Sequence, residues 1–91
     1  MAHTIREKTK LLSRVRRIRG QMQAVEQALE DEKGCSGVLQ LLASVRGAVN
    51  GLMAEVLEDH IQIHVVDPKL AETRRSEGAA ELIDVVRAYL K

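Results

Sequence analysis

The sequence has no phenylalanine and no tryptophan, and its single tyrosine is Tyr89. Any hydrophobic core must therefore be built from Leu, Val, Ile, Met and Ala, which suits the packing of helices. Because no aromatic residues are interspersed with the basic ones, binding of single-stranded nucleic acid by base stacking is disfavoured. We expect an all-α protein with three helices.

One cysteine, Cys35, excludes an intrachain disulfide and indicates a reducing compartment. We recognise no signal peptide and no apolar run long enough to span a bilayer, and we therefore expect a cytoplasmic protein with no membrane partner. The 91 residues predict a single domain over 1–91, with no internal repeats.

The net charge of +1 is unevenly distributed along the chain. Residues 1–20 contain seven Lys or Arg and one acid, which gives +6, so the other 71 residues sum to −5. This asymmetry predicts a polyanionic partner for the N-terminal segment.

The run from Cys35 to His64 contains no proline and predicts one long helix, with bounds near Ser36 and Val66. Asn50-Gly51 would favour a hairpin turn between strands, but the helical pattern continues on both sides. The apolar residues of this long helix recur at alternating intervals of four and three residues, which places them on one face. This apolar stripe comprises Val38, Leu42, Val45, Val49, Leu52 and Val56.

A first helix is predicted to begin near Ile5 with a capping box formed by Thr4 and Glu7. It should continue to about Asp31, with Gly34 ending it. Its heptad seam comprises Leu11, Val15, Ile18, Met22, Val25 and Leu29. Asp67-Pro68 should end the long helix, residues 67–77 should form a polar linker, and a short third helix should span about Gly78 to Leu90.

Cys35, His60 and His64 are candidate metal ligands, since two histidines four apart share a helix face and a thiolate adds a soft donor. Along one helix, Cys35 and His60 would be roughly 37 Å apart. A second, antiparallel copy could bring them together, with small residues such as Gly47 and Gly51 at the crossing. The alternative is two surface histidines and an unrelated cysteine. His3 is either solvated or a further ligand.

The basic residues of helix 1 are either a solvated surface or a contact for a phosphate backbone. No helix-turn-helix pattern is present, so a duplex recognised mainly by charge and shape is the better interpretation. The candidate DNA-binding residues are Lys10, Arg14, Arg16, Arg17 and Arg19. No Ser-His-Asp order, Gly-rich phosphate loop or HExxH motif occurs, so we do not expect an enzyme.

Three segments carry a family resemblance: RVRRIRGQ at 14–21, Cys35, and SVRGAVNGLMAEV at 44–56 followed by His60. The chain resembles the CsoR/RcnR/FrmR family of metal- and formaldehyde-responsive repressors. The resemblance implies a three-helix protomer, an antiparallel dimer and a dimer-of-dimers tetramer. It also implies that the ligand-free tetramer binds double-stranded operator DNA and that ligand binding releases it.

The branches of this family differ at a few positions. The copper(I) branch has a second cysteine where this chain has His64, which disfavours copper(I). The nickel/cobalt branch is similar at His3, Cys35, His60 and His64, although it has a further histidine where this chain has Asp67. The resemblance thus implies a repressor of efflux genes that responds to Ni(II) or Co(II), with Zn(II) also able to bind.

Two other functions remain open from the sequence. The formaldehyde branch uses the same cysteine with an N-terminal proline amine, and here Cys35 with the amine of Ala2 would form that site. A metal-storage or delivery protein would bind the ion without DNA, but the basic segment would then have no role.

Overall fold

The computed structural model describes residues 7–90, and these form three α-helices and no strand. Helix α1 spans Lys8–Glu30, α2 spans Cys35–His64 and α3 spans Glu72–Tyr89. The prediction of an all-α chain with three helices is confirmed. The described residues fall into two compact units, one of residues 7–53 and one of residues 54–90.

Helix α1 begins at Lys8, three residues after the predicted start. Glu7 occupies the N-cap position, and its side chain makes no capping hydrogen bond. Its carbonyl oxygen accepts a hydrogen bond from the Leu11 amide at 2.9 Å. The Thr4 half of the predicted capping box lies outside the described residues.

The end of α1 is set by Glu32 and not, as predicted, by Gly34. Glu32 has φ of 55°, in the left-handed region. Its amide donates to the Leu29 carbonyl at 3.1 Å, and the Lys33 amide donates to the Ala28 carbonyl at 3.0 Å. These two bonds form a Schellman motif, which satisfies carbonyls that the helix itself leaves unpaired. Gly34 instead starts α2, because its carbonyl accepts from the amides of residues 37 and 38.

The predicted seam of α1 divides into two rows. Leu11 and Ile18 are half-buried and Val25 is buried, whereas Val15, Met22 and Leu29 are 43%, 45% and 61% exposed. The row facing α2 is completed by polar or small residues, namely Arg14, Gln21 and Ala28. Apolar spacing alone missed this row because long polar side chains can bury their stems and still reach a partner.

Helix α2 continues through Asn50-Gly51, as predicted, and ends at His64, two residues before the predicted bound. In the first unit Val45 is buried, while Leu42 and Val49 are 41% and 43% exposed. Val38 and Leu52 are half-buried, so Leu42 and Val49 are the members of the predicted apolar stripe that stay exposed in this unit of one chain.

Helix α3 begins six residues earlier than predicted. Its first turns contain exposed polar residues without an apolar period, so the pattern favoured a linker there. The true connection is short: the Asp67 carboxylate accepts from the Lys69 amide at 2.9 Å, and the Asp67 carbonyl accepts from the Arg75 guanidinium at 3.1 Å.

Helix α2 is long and apolar enough to cross a membrane by length and composition. The prediction that no such run exists was wrong, because between Cys35 and Leu57 only Arg46 and Glu55 carry charge. One helix of this kind is weak support for a span, since helices that pack together in water-soluble proteins meet the same criterion.

Candidate metal centre and nucleic-acid interface

His60 and His64 lie one turn apart near the end of α2, and both are half-buried. Their imidazole centroids are 4.9 Å apart and the ring planes are inclined by 37°. Because residues four apart share a helix face, the predicted pairing of these two side chains is present in the structure.

The ring of His60 also contacts α3. Its Nε2 lies 3.0 Å from the carbonyl oxygen of Gly78. Gly78 is the one residue of α3 that is buried, so this hydrogen bond lies at the point where α3 packs on the end of α2.

The other predicted ligands lie elsewhere in the chain. Cys35 is the first residue of α2, is exposed, and belongs to the other unit. His3 and Ala2 lie outside the described residues. Within residues 7–90, no three His, Cys, Asp or Glu side chains cluster in a way that could hold a metal ion.

The histidine pair fits the nitrogen half of a metal site. Imidazole nitrogens suit Ni(II), Co(II) and Zn(II), and ligand bonds of roughly 2.0–2.1 Å are compatible with two rings 4.9 Å apart. Asp67 accepts the Lys69 amide with one carboxylate oxygen in the connection to α3, and among residues 7–90 no third donor joins the histidine pair. The described residues of one chain therefore supply two donors, and a complete shell needs ligands from outside this pair.

Among the predicted DNA-binding residues, four side chains are exposed along α1. They are Lys10, Arg16, Arg17 and Arg19. Arg14 differs: it is half-buried, and its guanidinium lies 3.4 Å from where a Cβ on Gly51 would be. The Arg14 guanidinium thus lies against α2 beside Gly51, at a distance that would be ordinary van der Waals contact with a Cβ there.

A cleft of about 170 Å³ lies between α1 and the first half of α2. Arg14, Arg17, Ile18, Gln21 and Ala48 line it. Gln21 was not singled out from the sequence, yet its amide Nε2 donates to the Ser44 hydroxyl at 3.3 Å and links the two helices. A glutamine in the middle of a helix gives no signal of such a contact.

The model of the metal-sensitive transcriptional repressor family matches residues 7–88. The chain belongs to that family, which is also named CsoR/RcnR. Its members are repressors and not enzymes, in agreement with the absence of a catalytic motif.

Three relatives illustrate this membership. An uncharacterised protein of Serratia marcescens, encoded in the bioA 5′ region, is 50% identical over 91 residues, all of both chains. The transcriptional repressor RcnR of Salmonella paratyphi B is 43% identical, also over all of both chains.

The third relative has a solved structure. It is a variant of the formaldehyde-responsive regulator FrmR of Salmonella enterica serovar Typhimurium in which a histidine replaces a glutamate. The TM-score is 0.84 at 45% identity, over 92% of this chain and 94% of that one. The predicted family is therefore confirmed, while these relatives are compatible with either a metal or an aldehyde as the effector.

Proposed function

We propose that this repressor senses Ni(II) or Co(II), binds operator DNA when ligand-free, and is released from it by the metal to derepress efflux genes. The observation that carries the proposal is the pair of imidazoles at the end of α2, with centroids 4.9 Å apart. Two nitrogens on one helix face favour a borderline divalent ion over copper(I), which prefers thiolates. Zn(II) would bind to the same donors, so selectivity depends on coordination geometry.

The sulfur ligand in this proposal is Cys35 of a second copy. Cys35 and the histidines lie at opposite ends of the 30-residue α2, so an antiparallel copy would bring a thiolate to each imidazole pair. A dimer of this kind has a two-fold axis and two equivalent sites. His3 or the N-terminal amine would complete the shell.

Exposed apolar residues support this oligomer. Val15, Met22 and Leu29 on α1 recur every seven residues, as do Leu42 and Val49 on α2, and all five are at least 41% exposed in one chain. Rows with a seven-residue spacing are typical of helices that pack against further helices. We propose that these rows form the contacts of a homodimer and of a homotetramer, in a cytoplasmic protein with no membrane partner.

The DNA contact in this proposal is the exposed basic side of α1. Arg16, Arg17 and Arg19 lie within one turn and would neutralise phosphates of the duplex. At 100° per residue, Lys10 and Arg14 lie within about 60° of Arg17 on one flank of the helix, whereas Arg16 and Arg19 lie on the other. His3 lies five positions before the first residue of this helix in the sequence. Its binding to the metal would therefore reposition α1, provided that the metal binds more tightly to the arrangement that does not bind DNA.

The proposal is tested by titration with Co(II), whose bonds to thiolate give a charge-transfer absorption band. We expect the band in the parent protein, its loss in Cys35→Ala, and its retention in the matched control Ser36→Ala. In parallel, Co(II) should abolish retardation of promoter DNA by the parent protein but not by Cys35→Ala. Metal binding with unchanged affinity for DNA would refute the sensing role.

A formaldehyde sensor is the second candidate. It is favoured by the exposed position of Cys35 and by the 45% identity to the formaldehyde-responsive FrmR. In this case formaldehyde would link the Cys35 sulfur to the amine of Ala2 through one methylene carbon, with loss of water. Mass spectrometry of the treated protein would detect the link, and release from DNA by formaldehyde but not by Co(II) would favour this candidate over the first.

A further inference from the structure

The cleft between α1 and the first half of α2 is lined by two arginines from one helix. Arg14 and Arg17 are three residues apart, so their side chains lie on the same side of α1. Ile18 of α1 and Ala48 of α2 add apolar surface. Among residues 7–90, those that line the cleft include no carboxylate. A cleft with charges of one sign and apolar walls attracts the opposite charge more strongly than an open surface does.

Arg14 is held in position against α2. It is half-buried, and its guanidinium lies 3.4 Å from where a Cβ on Gly51 would be. Arg17, which lines the same cleft, is exposed. An ordered side chain loses less conformational entropy on binding a ligand than a freely moving one. The cleft thus combines one pre-positioned guanidinium with a second that is free to adjust to the ligand.

Gln21 braces the cleft at one end. Its side chain lines the cleft and donates to the Ser44 hydroxyl of α2 at 3.3 Å. At the other end, the contact of Arg14 with α2 beside Gly51 also joins the two helices. Ala48 lies between these two contacts in the sequence of α2, so the cleft has a defined width where its apolar wall is.

The size of the cleft limits what it can hold. Its volume is about 170 Å³, whereas one water needs roughly 10–15 Å³ and pockets for organic ligands have about 300–1,000 Å³. A polyatomic ion is therefore of suitable size. Guanidinium groups bind phosphate oxygens in pairs, and a tetrahedral phosphate, unlike a carboxylate, has enough oxygens to offer a separate pair to each of two arginines.

We propose that this cleft is a site for one phosphate group, which the guanidiniums of Arg14 and Arg17 bind together. The group can come from free inorganic phosphate or from the backbone of a duplex. Binding of free phosphate does not depend on the function proposed above, whereas use of the site by DNA rests on the proposed operator binding. Because one site holds one group, free phosphate and DNA would compete for it, beyond the general screening by salt.

The first test needs neither DNA nor metal. Protein labelled with ¹⁵N is titrated with inorganic phosphate while chloride is lowered to keep the ionic strength constant, and the arginine Nε–H signals are followed by NMR. We expect the signals of Arg14 and Arg17 to shift and to saturate at the same phosphate concentrations. Arg14→Gln and Arg17→Gln identify these signals by their loss. A shift without saturation in the parent protein would overturn the proposal.

Two variants separate the shape of the cleft from its charge. Arg14→Gln removes one cation, and Arg87→Gln is the matched control at an exposed position of α3. Ala48→Leu keeps both arginines but fills the cleft, and Ala24→Leu makes the same change at an exposed position of α1 that does not line it.

We expect Arg14→Gln to bind phosphate about 10–100-fold more weakly, the usual effect of losing a charged hydrogen-bond partner. Ala48→Leu should lose the saturable shift, and both controls should retain the parent affinity. Parent affinity in Ala48→Leu would overturn the assignment of the site to the cleft. Circular dichroism checks that each variant retains its helices, and should one fail to fold, the other decides.

The second test identifies the source of the phosphate. Operator binding is measured by fluorescence anisotropy in phosphate and in chloride at the same pH and ionic strength. If the duplex uses the site, phosphate at ten times its measured Kd should weaken operator binding about 11-fold for each site used, from the factor 1 + [L]/Kd. Equal operator affinity in the two salts, together with saturable phosphate binding, would support a site for free phosphate alone.

Failure of the proposed function is recognised separately. A protein that binds phosphate saturably but retards no promoter DNA would refute the repressor role and retain the phosphate site. Operator binding that responds to Co(II), in a protein without saturable phosphate binding, would retain the proposed function and refute the site.

Discussion

Replacing Glu32 by glycine should stabilise the protein, because Glu32 ends α1 in the left-handed conformation, with φ of 55°. For a residue with a side chain, this conformation costs roughly 1–2 kcal/mol. Glycine removes that cost but loses more conformational entropy on folding, about 0.5–1 kcal/mol. The difference predicts a net stabilisation of about 0.5–1 kcal/mol for Glu32→Gly.

The measurement is urea unfolding of both proteins at one protein concentration, because the stability of an oligomer depends on concentration. Glu26→Gly is the matched control. Glu26 is an exposed residue within α1, and glycine there should destabilise the protein by about 1 kcal/mol. Both substitutions replace glutamate by glycine, but their expected effects on the free energy of unfolding are opposite. Destabilisation by both would show that Glu32 does not adopt the left-handed conformation in solution.

Three further predictions concern the other surfaces. Arg17→Ala should weaken operator binding and reduce by about one unit the slope of the logarithm of the binding constant against the logarithm of the salt concentration. The control Lys69→Ala should leave that slope unchanged. Equal effects of the two substitutions would argue against DNA contact by the basic residues of α1. Val49→Lys should dissociate the oligomer in analytical ultracentrifugation, because Val49 is 43% exposed in one chain and we propose that a second copy covers it; an unchanged mass would exclude it from the interface. Asp67→Ala should lower the free energy of unfolding by about 1 kcal/mol through loss of the bond to the Lys69 amide, and unchanged thermal unfolding would contradict this role.

The sequence predicted the number, type and approximate order of the helices, because apolar residues recur with helical spacing in all three. It was less successful at their ends. Glu32 gave no signal as a helix terminator, since the left-handed conformation is set by the Schellman bonds and not by a glycine. The start of α3 was missed because its first turns, which contain Arg74 and Glu77, are exposed and have no apolar stripe.

The candidate site was predictable where it depends on helix geometry alone. His60 and His64 share a face because they are four apart, and the structure has them adjacent. The contact of His60 with Gly78 was not predictable, because it depends on where α3 packs and on a backbone carbonyl that any residue would possess. The joining of Cys35 to the histidines is a prediction about two chains, and a single chain leaves it open.

Very few side chains are buried in residues 7–90 of one copy of this protein. Among the described residues, only Val25, Ala28 and Val45 form its buried hydrophobic core. The free energy gained by burying a core of this size falls well short of the free-energy cost of the conformational entropy lost on folding. Given the proposed oligomer, we expect copies that have not assembled to be readily degraded by cellular proteases. The abundance of the protein would then be limited by the rate at which copies meet.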